Sequence, residues 1–275
     1  MDHSEVAFAK VNLALHVRRR RDDGYHDIET LFAFARDGDI LHGRLSETLS
    51  LEIEGPFGPG LEAGDNNLVM QTAHRLKSYF GVRQGAALRL DKRLPVASGI
   101  GGGSADAAAT ARLINRLWGL NATEQELADI LALLGADIPA CIFSRPSFGT
   151  GTGTALAFLK DSSVTARHLL LVNPLQSVST AAIFKAWNGD DGGPLLSGDM
   201  WEAALNGRND LEPLAAEICP VITDILDRLS QSKSALTRMS GSGATCFALF
   251  ETATELRVAA ATLDPAWWVM ETTLR

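Results

Sequence analysis

The stretch that most constrains this 275-residue chain runs from Leu94 to Ala109, LPVASGIGGGSADAAA. Gly99, Gly101, Gly102 and Gly103 fill four of five consecutive positions, Ser104 closes the run, and an alanine-rich helical pattern begins at once. Glycines reach positive φ and let bare N–H groups approach a ligand closely, and a helix starting there adds the positive end of its dipole. The chain must therefore place a strand end, a backbone pocket for an anion and a helix start in succession, with phosphate as the natural guest. Ala105, Ala107, Ala108 and Ala109 let that helix sit close to whatever lies beneath it. Ser104 is expected to cap the helix or to turn its hydroxyl to a phosphate or metal.

Two common phosphate loops do not fit. A Walker A loop carries lysine and then Ser or Thr after its last glycine, whereas Ser104 and Ala105 follow here. A Rossmann fingerprint breaks at its third position, which is Ser104, and no hydrophobic βαβ pattern opens the chain. A flexible linker is a poor reading too, because Pro95 bounds the run on one side and a helix former bounds it on the other.

Hydrophobic residues at 46% and charged residues at 21% are ordinary for a soluble globular protein of one large or two modest domains. The formal net charge of −8 excludes the basic footprint of a general nucleic-acid binder, so anionic ligands need locally placed cations. Cys141, Cys219 and Cys246 are odd in number and lie in apolar runs, which reads as buried thiols in a reducing compartment. No C-x-x-C or H-E-x-x-H spacing announces a zinc site. No apolar run reaches membrane-spanning length, and the acidic start runs straight into a strand pattern without room for a signal peptide. A cytoplasmic protein without a membrane partner is expected.

From Val6 to Val17, one alternating set (Ala7, Ala9, Val11, Leu13, Leu15, Val17) is apolar, so Lys10, Asn12 and His16 share the opposite face of a strand. A solvated face is the expectation for His16, and the question stays open for Lys10 and Asn12. Arg18 to Gly24 reads as a solvated hairpin tip, and a second strand follows from Tyr25 to Phe32. A helix from about Leu68 to Phe80, a strand over 86–94 and a helix behind the capping box Thr123-x-x-Glu126 come next. Asp137 stands just before Pro139 at the start of a short element, where it would be unremarkable as an N-cap alone. A composition shift around Lys160 to Arg167 marks a domain boundary. Beyond it, strands over 168–173, 236–239, 246–250 and 267–273 alternate with helices, the long one over 211–229 limited by Pro213 and Pro220. That order suggests an α+β sandwich.

The arrangement Pro95-x-x-x-Gly99-x-Gly101-Gly102-Gly103-Ser104-Ala105 resembles the phosphate loop of the galactokinase, homoserine, mevalonate and phosphomevalonate (GHMP) kinase superfamily. Three more islands stand in that superfamily's order: Ala9-Lys10-Val11-Asn12-Leu13, Gly135-Ala136-Asp137-Ile138-Pro139 and Ser240-Gly241-Ser242-Gly243-Ala244. Asp23-Gly24-Tyr25-His26, with Glu29-Thr30-Leu31 and Asn67-Leu68-Val69, is similar to the branch of the superfamily that phosphorylates a cytidine diphosphate methylerythritol.

The resemblance implies an α+β, two-domain GHMP kinase fold. Residues 1–160 would form an N-terminal domain like the second domain of ribosomal protein S5, and residues 161–275 a ferredoxin-like α/β-sandwich C-terminal domain. It implies ATP and Mg2+, with the nucleotide phosphates against Pro95, Val96, Ala97, Ser98, Gly99, Ile100, Gly101, Gly102, Gly103, Ser104 and Ala105. By the same carry-over Asp137 is the general base and Lys10 its electrostatic partner. Asn12, Tyr25, His26, Thr180 and Phe184 form the substrate pocket, the last two on the pattern Ser179-Thr180-x-x-Ile183-Phe184. No acidic residue announces itself as a metal ligand, which leaves Ser104 and water. The only partner implied is a small molecule, and a monomer or weak dimer is expected. Where the superfamily has a further glycine, this loop carries Val96-Ala97-Ser98, so altered loop stiffness is expected rather than lost binding. The alternatives are a superfamily kinase acting on homoserine or mevalonate, or a non-catalytic nucleotide binder. The last would be expected to lose Lys10 or Asp137, and both are present.

Overall fold

In the computed structural model, which describes residues 3–159, 163–196 and 198–275, the alternation read from the sequence becomes two long strands, β1 (His3–Arg20) and β2 (His26–Ser46). Both faces of β1 are buried. Ala7 to Val17 on one side are at most 4% exposed, and on the other Lys10, Asn12 and His16 are no more than 3% exposed. The solvated face expected for His16 is therefore overturned. Its Nδ1 donates to the Gly193 carbonyl at 3.1 Å and its Nε2 accepts from the Arg208 backbone at 3.2 Å. These partners come from distant sequence, which alternation along one strand does not reveal. Burial first, and then the Arg208 charge, hold the His16 pKa below its ordinary value.

The chain forms two compact units that interleave along the sequence: Met1–Ala9, Asp37–Val96 and Gly101–Ser144 in the first, Lys10–Arg36, Ala97–Ile100 and Arg145–Arg275 in the second. The boundary expected at 160–161 falls outside the described residues.

In the first unit, β3 (Ser50–Glu54) runs parallel to β4 (Gly85–Asp91), and β4 pairs antiparallel with the end of β2, from Ile40 opposite Asp91 to Ser46 opposite Gly85. Four helices complete it: α1 (Leu68–Tyr79), α2 (Gly102–Leu117), α3 (Glu124–Leu131) and α4 (Ile138–Phe143). Thr123 caps α3 as its capping box announces, accepting from Glu126 N, and Asn67 caps α1, accepting from Val69 N. The alanines of α2 let it lie close: a Cβ on Gly43 of β2 would stand 2.9 Å from Leu113 Cδ2. Arg112 of α2 reaches the carbonyls of Val6, Cys141 and Ile142 and pairs with Glu5.

In the second unit the start of β2 pairs with β5 (Ser147–Thr150), which turns back as a hairpin into β6 (Ala155–Phe158). A separate antiparallel sheet contains β7 (His168–Asn173), β8 (Leu236–Met239), β9 (Cys246–Phe250) and β10 (Trp268–Thr273) in the order β10-β7-β9-β8. Its helices are α5 (Thr180–Ala186), α6 (Met200–Asn206), α7 (Glu212–Ile218), α8 (Val221–Ser230) and α9 (Ala253–Ala260). The single helix read over 211–229 is two. Pro213 lies in the first turn of α7, and Pro220, which lacks an N–H to continue it, becomes the N-cap of α8. Leu170, Val172, Ile222, Ile225, Leu229, Cys246, Ala248 and Phe250 form the center of one core. All three cysteines are buried and unbridged. No described helix is long and apolar enough to cross a membrane.

Because Phe250 is fully buried at that center, Phe250→Ala should cost about 3–5 kcal/mol of stability. Urea unfolding with an unchanged m-value checks this, and a loss below about 1 kcal/mol would contradict the packing described.

Candidate active site

The loop between β4 and α2 takes its shape from three left-handed residues set two apart: Ala97 at φ 51°, Gly99 at φ 78° and Gly101 at φ 64°. Alternation of this kind gathers successive N–H groups into an anion-binding concavity. Helix α2 opens inside the glycine run, with Gly101 as N-cap, no capping side chain, and Gly102, Gly103 and Ser104 as its first turn. Ser104 is thus the third helical residue and not the N-cap. The first intrahelical bond is made by Ala105 N to Gly101 O at 2.8 Å, so the three N–H groups before it have no intrahelical acceptor. Pro95 and Ile100 are buried, whereas Val96 is half-exposed.

In the first unit, a Cβ on Gly102 would stand 3.1 Å from Lys92 Nζ, so glycine is what lets a buried ammonium approach this turn. Lys92 donates to Asp39 Oδ2 and, at 2.8 Å, to Asp106 Oδ2. Asp39 Oδ1 also accepts the N–H groups of Arg93 at 2.5 Å and Leu94 at 2.8 Å. Asp106 Oδ1, by contrast, is buried with no hydrogen-bond partner among the described residues. Burial pushes the Asp106 carboxyl up to about 7 even though Lys92 pulls the other way, so Asp106 is the member of the cluster that holds a proton. Burial also disfavours the Lys92 charge, but Asp106 and Asp39 outweigh it and raise the Lys92 pKa. Nothing in the sequence marks these three residues, whose spacings match no motif.

Asp137 belongs to the same unit and immediately precedes α4. Its backbone is helical at φ −81° and ψ −15°, and its side chain makes no capping hydrogen bond, so capping does not explain an aspartate here. Two residues earlier, a Cβ on Gly135 would stand 3.8 Å from Ser104 Oγ, which sets the Ser104 hydroxyl beside the Gly135-Ala136-Asp137 turn. Among the described residues no group of three or more His, Cys, Asp or Glu gathers to hold a metal ion.

The second unit brings together Ala97–Ile100, Lys10, Asn12 and the Ser240–Ala244 turn. A Cβ on Gly99 would lie 2.6 Å from both the Gly243 and Ser240 carbonyl oxygens, and Thr245 N donates to Ser98 O at 3.1 Å. Lys10 N donates to Ile100 O at 3.0 Å. Its ammonium donates to Asn12 Oδ1 at 2.8 Å and lies 5.6 Å from the center of the Phe32 ring.

The same unit holds an aromatic cluster built around His26. The His26 ring is 5.1 Å from that of Phe184 and 5.7 Å from that of Trp187, which meets it edge-on. Tyr25 is 63% exposed beside it in sequence, and Thr180 Oγ1 lies 2.8 Å from Ser242 Oγ. Arg20 donates from Nε to His26 Nε2 at 3.4 Å and from Nη2 to the Lys185 and Trp187 carbonyls. A guanidinium only donates, so Nε2 accepts and Nδ1 carries the hydrogen. Burial, then the Arg20 charge, lower the His26 pKa, so the ring is neutral at neutral pH and offers both a donor and an acceptor. Arg20 and Trp187 are missed by the sequence reading. Arg19 and Arg21 pair with Asp27 as a solvated hairpin tip should, but nothing in a run of four arginines singles out the one aimed at His26.

Two family models match the chain: GHMP kinases N terminal domain over residues 67–145, and GHMP kinases C terminal over residues 197–268. A 4-diphosphocytidyl-2-C-methyl-D-erythritol kinase of Sphingopyxis alaskensis is 48% identical, the alignment covering 98% of each chain. One of Rhizorhabdus wittichii is also 48% identical over 100% of this chain and 96% of its own. A crystal structure of 4-(cytidine 5'-diphospho)-2C-methyl-D-erythritol kinase superposes with a TM-score of 0.84 at 30% identity, covering 100% of this chain and 99% of that one. The homoserine kinase of Cytophaga hutchinsonii, at 17% identity and a TM-score of 0.73, shares the fold.

Gly99→Ala combines a left-handed φ with two backbone oxygens at 2.6 Å and should lower stability by about 2–5 kcal/mol. Gly103→Ala meets only Leu68 Cδ1 at 3.3 Å and should melt close to the parent. Equal melting temperatures for the two variants would contradict this account of the loop. For Asp106, the folded chain keeps its proton up to about pH 7 while the unfolded chain releases it near the ordinary 3.8. The folded state therefore binds the extra proton between these values, and stability falls as pH rises from about 4 to about 7. Asp106→Asn should flatten that part of the profile in urea unfolding series, and an unaltered slope would exclude Asp106 as its source.

Proposed function

Since the chain belongs to the GHMP kinases, we propose that it transfers the γ-phosphoryl group of ATP to the 2-hydroxyl of 4-diphosphocytidyl-2-C-methyl-D-erythritol. That it is an ATP-dependent small-molecule kinase follows from the family. The choice of acceptor rests on the names of relatives 48% identical over nearly the whole chain. In the geometry, one observation carries it: the neutral His26 ring packed 5.1 Å from Phe184 with Trp187 at its edge. A flat, polar pyrimidine has a use for an aromatic cluster that carries a donor and an acceptor, and homoserine or mevalonate has none.

Phosphoryl transfer requires that the donor phosphates be cradled, the charge on the oxygens in flight be offset, and the acceptor hydroxyl be oriented and relieved of its proton. In this reading the N–H groups from Gly99 to Ser104 hold the ATP phosphates. Asp137 accepts the proton of the 2-hydroxyl as that oxygen bonds to the γ-phosphorus, while the bond from the γ-phosphorus to the bridging oxygen breaks and ADP leaves with that oxygen. The Lys10 ammonium offsets phosphoryl charge. Mg2+ bound with ATP supplies further neutralisation of the phosphate oxygens, and Ser104 is the side chain proposed to help hold it. Asn12, Tyr25 and Thr180 complete the substrate contacts around His26 and Phe184. The three unbridged thiols support a reducing, cytoplasmic setting.

A coupled ADP-release assay tests the acceptor: turnover is expected with the cytidine diphosphate alcohol, and turnover with homoserine or mevalonate in its place would reject it. Asp137→Asn should lower kcat by about 10²–10⁴ with ATP affinity held within a few-fold, and a kcat within tenfold of the parent would remove Asp137 as base. His26→Ala should weaken binding of the cytidine substrate by about tenfold or more, about 1.4 kcal/mol, an effect that calorimetry reads directly.

A further inference from the structure

A lysine ammonium rides on a flexible four-carbon stem, so the role proposed for Lys10 requires that something hold it in place. The structure contains a buried hydrogen-bond relay that does so. Lys10 Nζ donates to Asn12 Oδ1 at 2.8 Å, Asn12 Nδ2 donates to Thr30 Oγ1 at 2.8 Å, and Thr30 Oγ1 donates to the backbone carbonyl of Ala14 at 2.7 Å. Thr30 is fully buried, and Lys10 and Asn12 are 3% and 2% exposed.

The direction of every link is dictated from the ends. A backbone carbonyl only accepts, so the single hydroxyl hydrogen of Thr30 goes to Ala14 and its lone pairs face Asn12. Only the NH2 end of an amide donates to them, which turns Oδ1 toward Lys10, and an ammonium only donates. A flipped Asn12 amide would set donor against donor at Lys10 and acceptor against acceptor at Thr30, whose hydrogen already goes to Ala14. The frame is held at both ends. Asn12 N donates to Ser240 Oγ at 3.1 Å, and Ser240 Oγ donates to Gly99 O at 3.1 Å. Thr30 is paired across β2 and β5 with Gly149, whose missing Cβ leaves room for the Thr30 methyl, since a Cβ there would stand 3.2 Å from Thr30 Cγ2.

We infer that Thr30 is a positioning residue for phosphoryl transfer, its hydroxyl fixing the orientation of the Asn12 amide and, through it, the place of the Lys10 ammonium. The inference rests on the reading of Lys10 given under the proposed function, and the two fail differently.

The test compares Thr30→Val, Thr30→Ser, Lys10→Met and the double variant Thr30→Val with Lys10→Met, in the coupled assay with ATP and the cytidine diphosphate alcohol. Thr30→Val should lower kcat by about tenfold or more, the scale of one charge-assisted hydrogen bond, with the KM for ATP within about twofold. Thr30→Ser, which keeps the hydroxyl, should recover kcat to within about threefold of the parent. In the Lys10→Met background, Thr30→Val should change kcat by less than about twofold, because no ammonium remains to be placed. A merely structural role would lower kcat by the same factor in both backgrounds, and that result, or a Thr30→Val enzyme with parental kcat, would overturn the inference. A Lys10→Met enzyme with near-parental kcat would instead overturn the reading of Lys10, and the inference with it. Melting curves establish that each variant is folded, and Thr30→Ala replaces Thr30→Val in both the single and the double variant if the valine does not fold.

Discussion

A loop built of glycines, with bare backbone N–H groups and few side chains, has little of its own with which to hold itself rigid, and much of what is unusual in this chain follows from that constraint. The loop before α2 obtains its rigidity from outside. Gly99 lies against the Ser240 and Gly243 carbonyls with no room for a methyl group, Ser98 O is tied to Thr245 N, and Ile100 O to Lys10 N. Glycine at 99 is therefore required twice, for its positive φ and for its missing Cβ. The glycine turn at Ser240–Ala244, some 140 residues downstream, is a part of the loop's wall, and the Lys10 strand is tied to the same loop.

The polar groups around these elements show a common economy: one end of each chain of hydrogen bonds is a group that cannot reverse. At Lys10 the terminus is the Ala14 carbonyl, and at His26 it is the Arg20 guanidinium, which fixes the ring as a neutral Nδ1–H tautomer. The Lys92 cluster differs. Two carboxylates share one ammonium, but only Asp39 also receives backbone N–H donors, so the buried Asp106 is left to hold a proton. Buried polar groups specify structure only when fully directed, and Asp106 is the point at which that rule is relaxed.

Strand and helix positions were largely legible in the sequence. His168–Asn173, Leu236–Met239 and Cys246–Phe250 fall where the apolar runs put them, because each is bounded by turn-forming residues, and the first and last are almost wholly buried. The cap at Thr123 is local chemistry and was equally plain. What was not legible depends on partners far along the chain. His16 looked solvated because Gly193 and Arg208 cannot be seen from Val6–Val17. Lys92, Asp39 and Asp106 meet only once β2, β4 and α2 have packed. Arg20 is indistinguishable from its neighbours until α5 presents its last carbonyls. The helix start at Gly102, two residues ahead of Ser104, shows a further limit: glycines read as loop are also the residues that leave a helix's first turn bare.

Ala97 remains, an L-residue at φ 51° in a loop otherwise bent by glycines. Holding alanine there costs about 1–2 kcal/mol in the folded chain, while glycine in its place would enlarge the unfolded ensemble at a cost of about 0.5–1 kcal/mol. The two nearly cancel in overall stability but act on different quantities. Alanine narrows the set of shapes the loop can sample, so the loop keeps less conformational disorder to lose on becoming fixed. Position 97 thus acts as a tuning point between the freedom of the loop and the strain of its folded backbone, at little change in the stability of the whole.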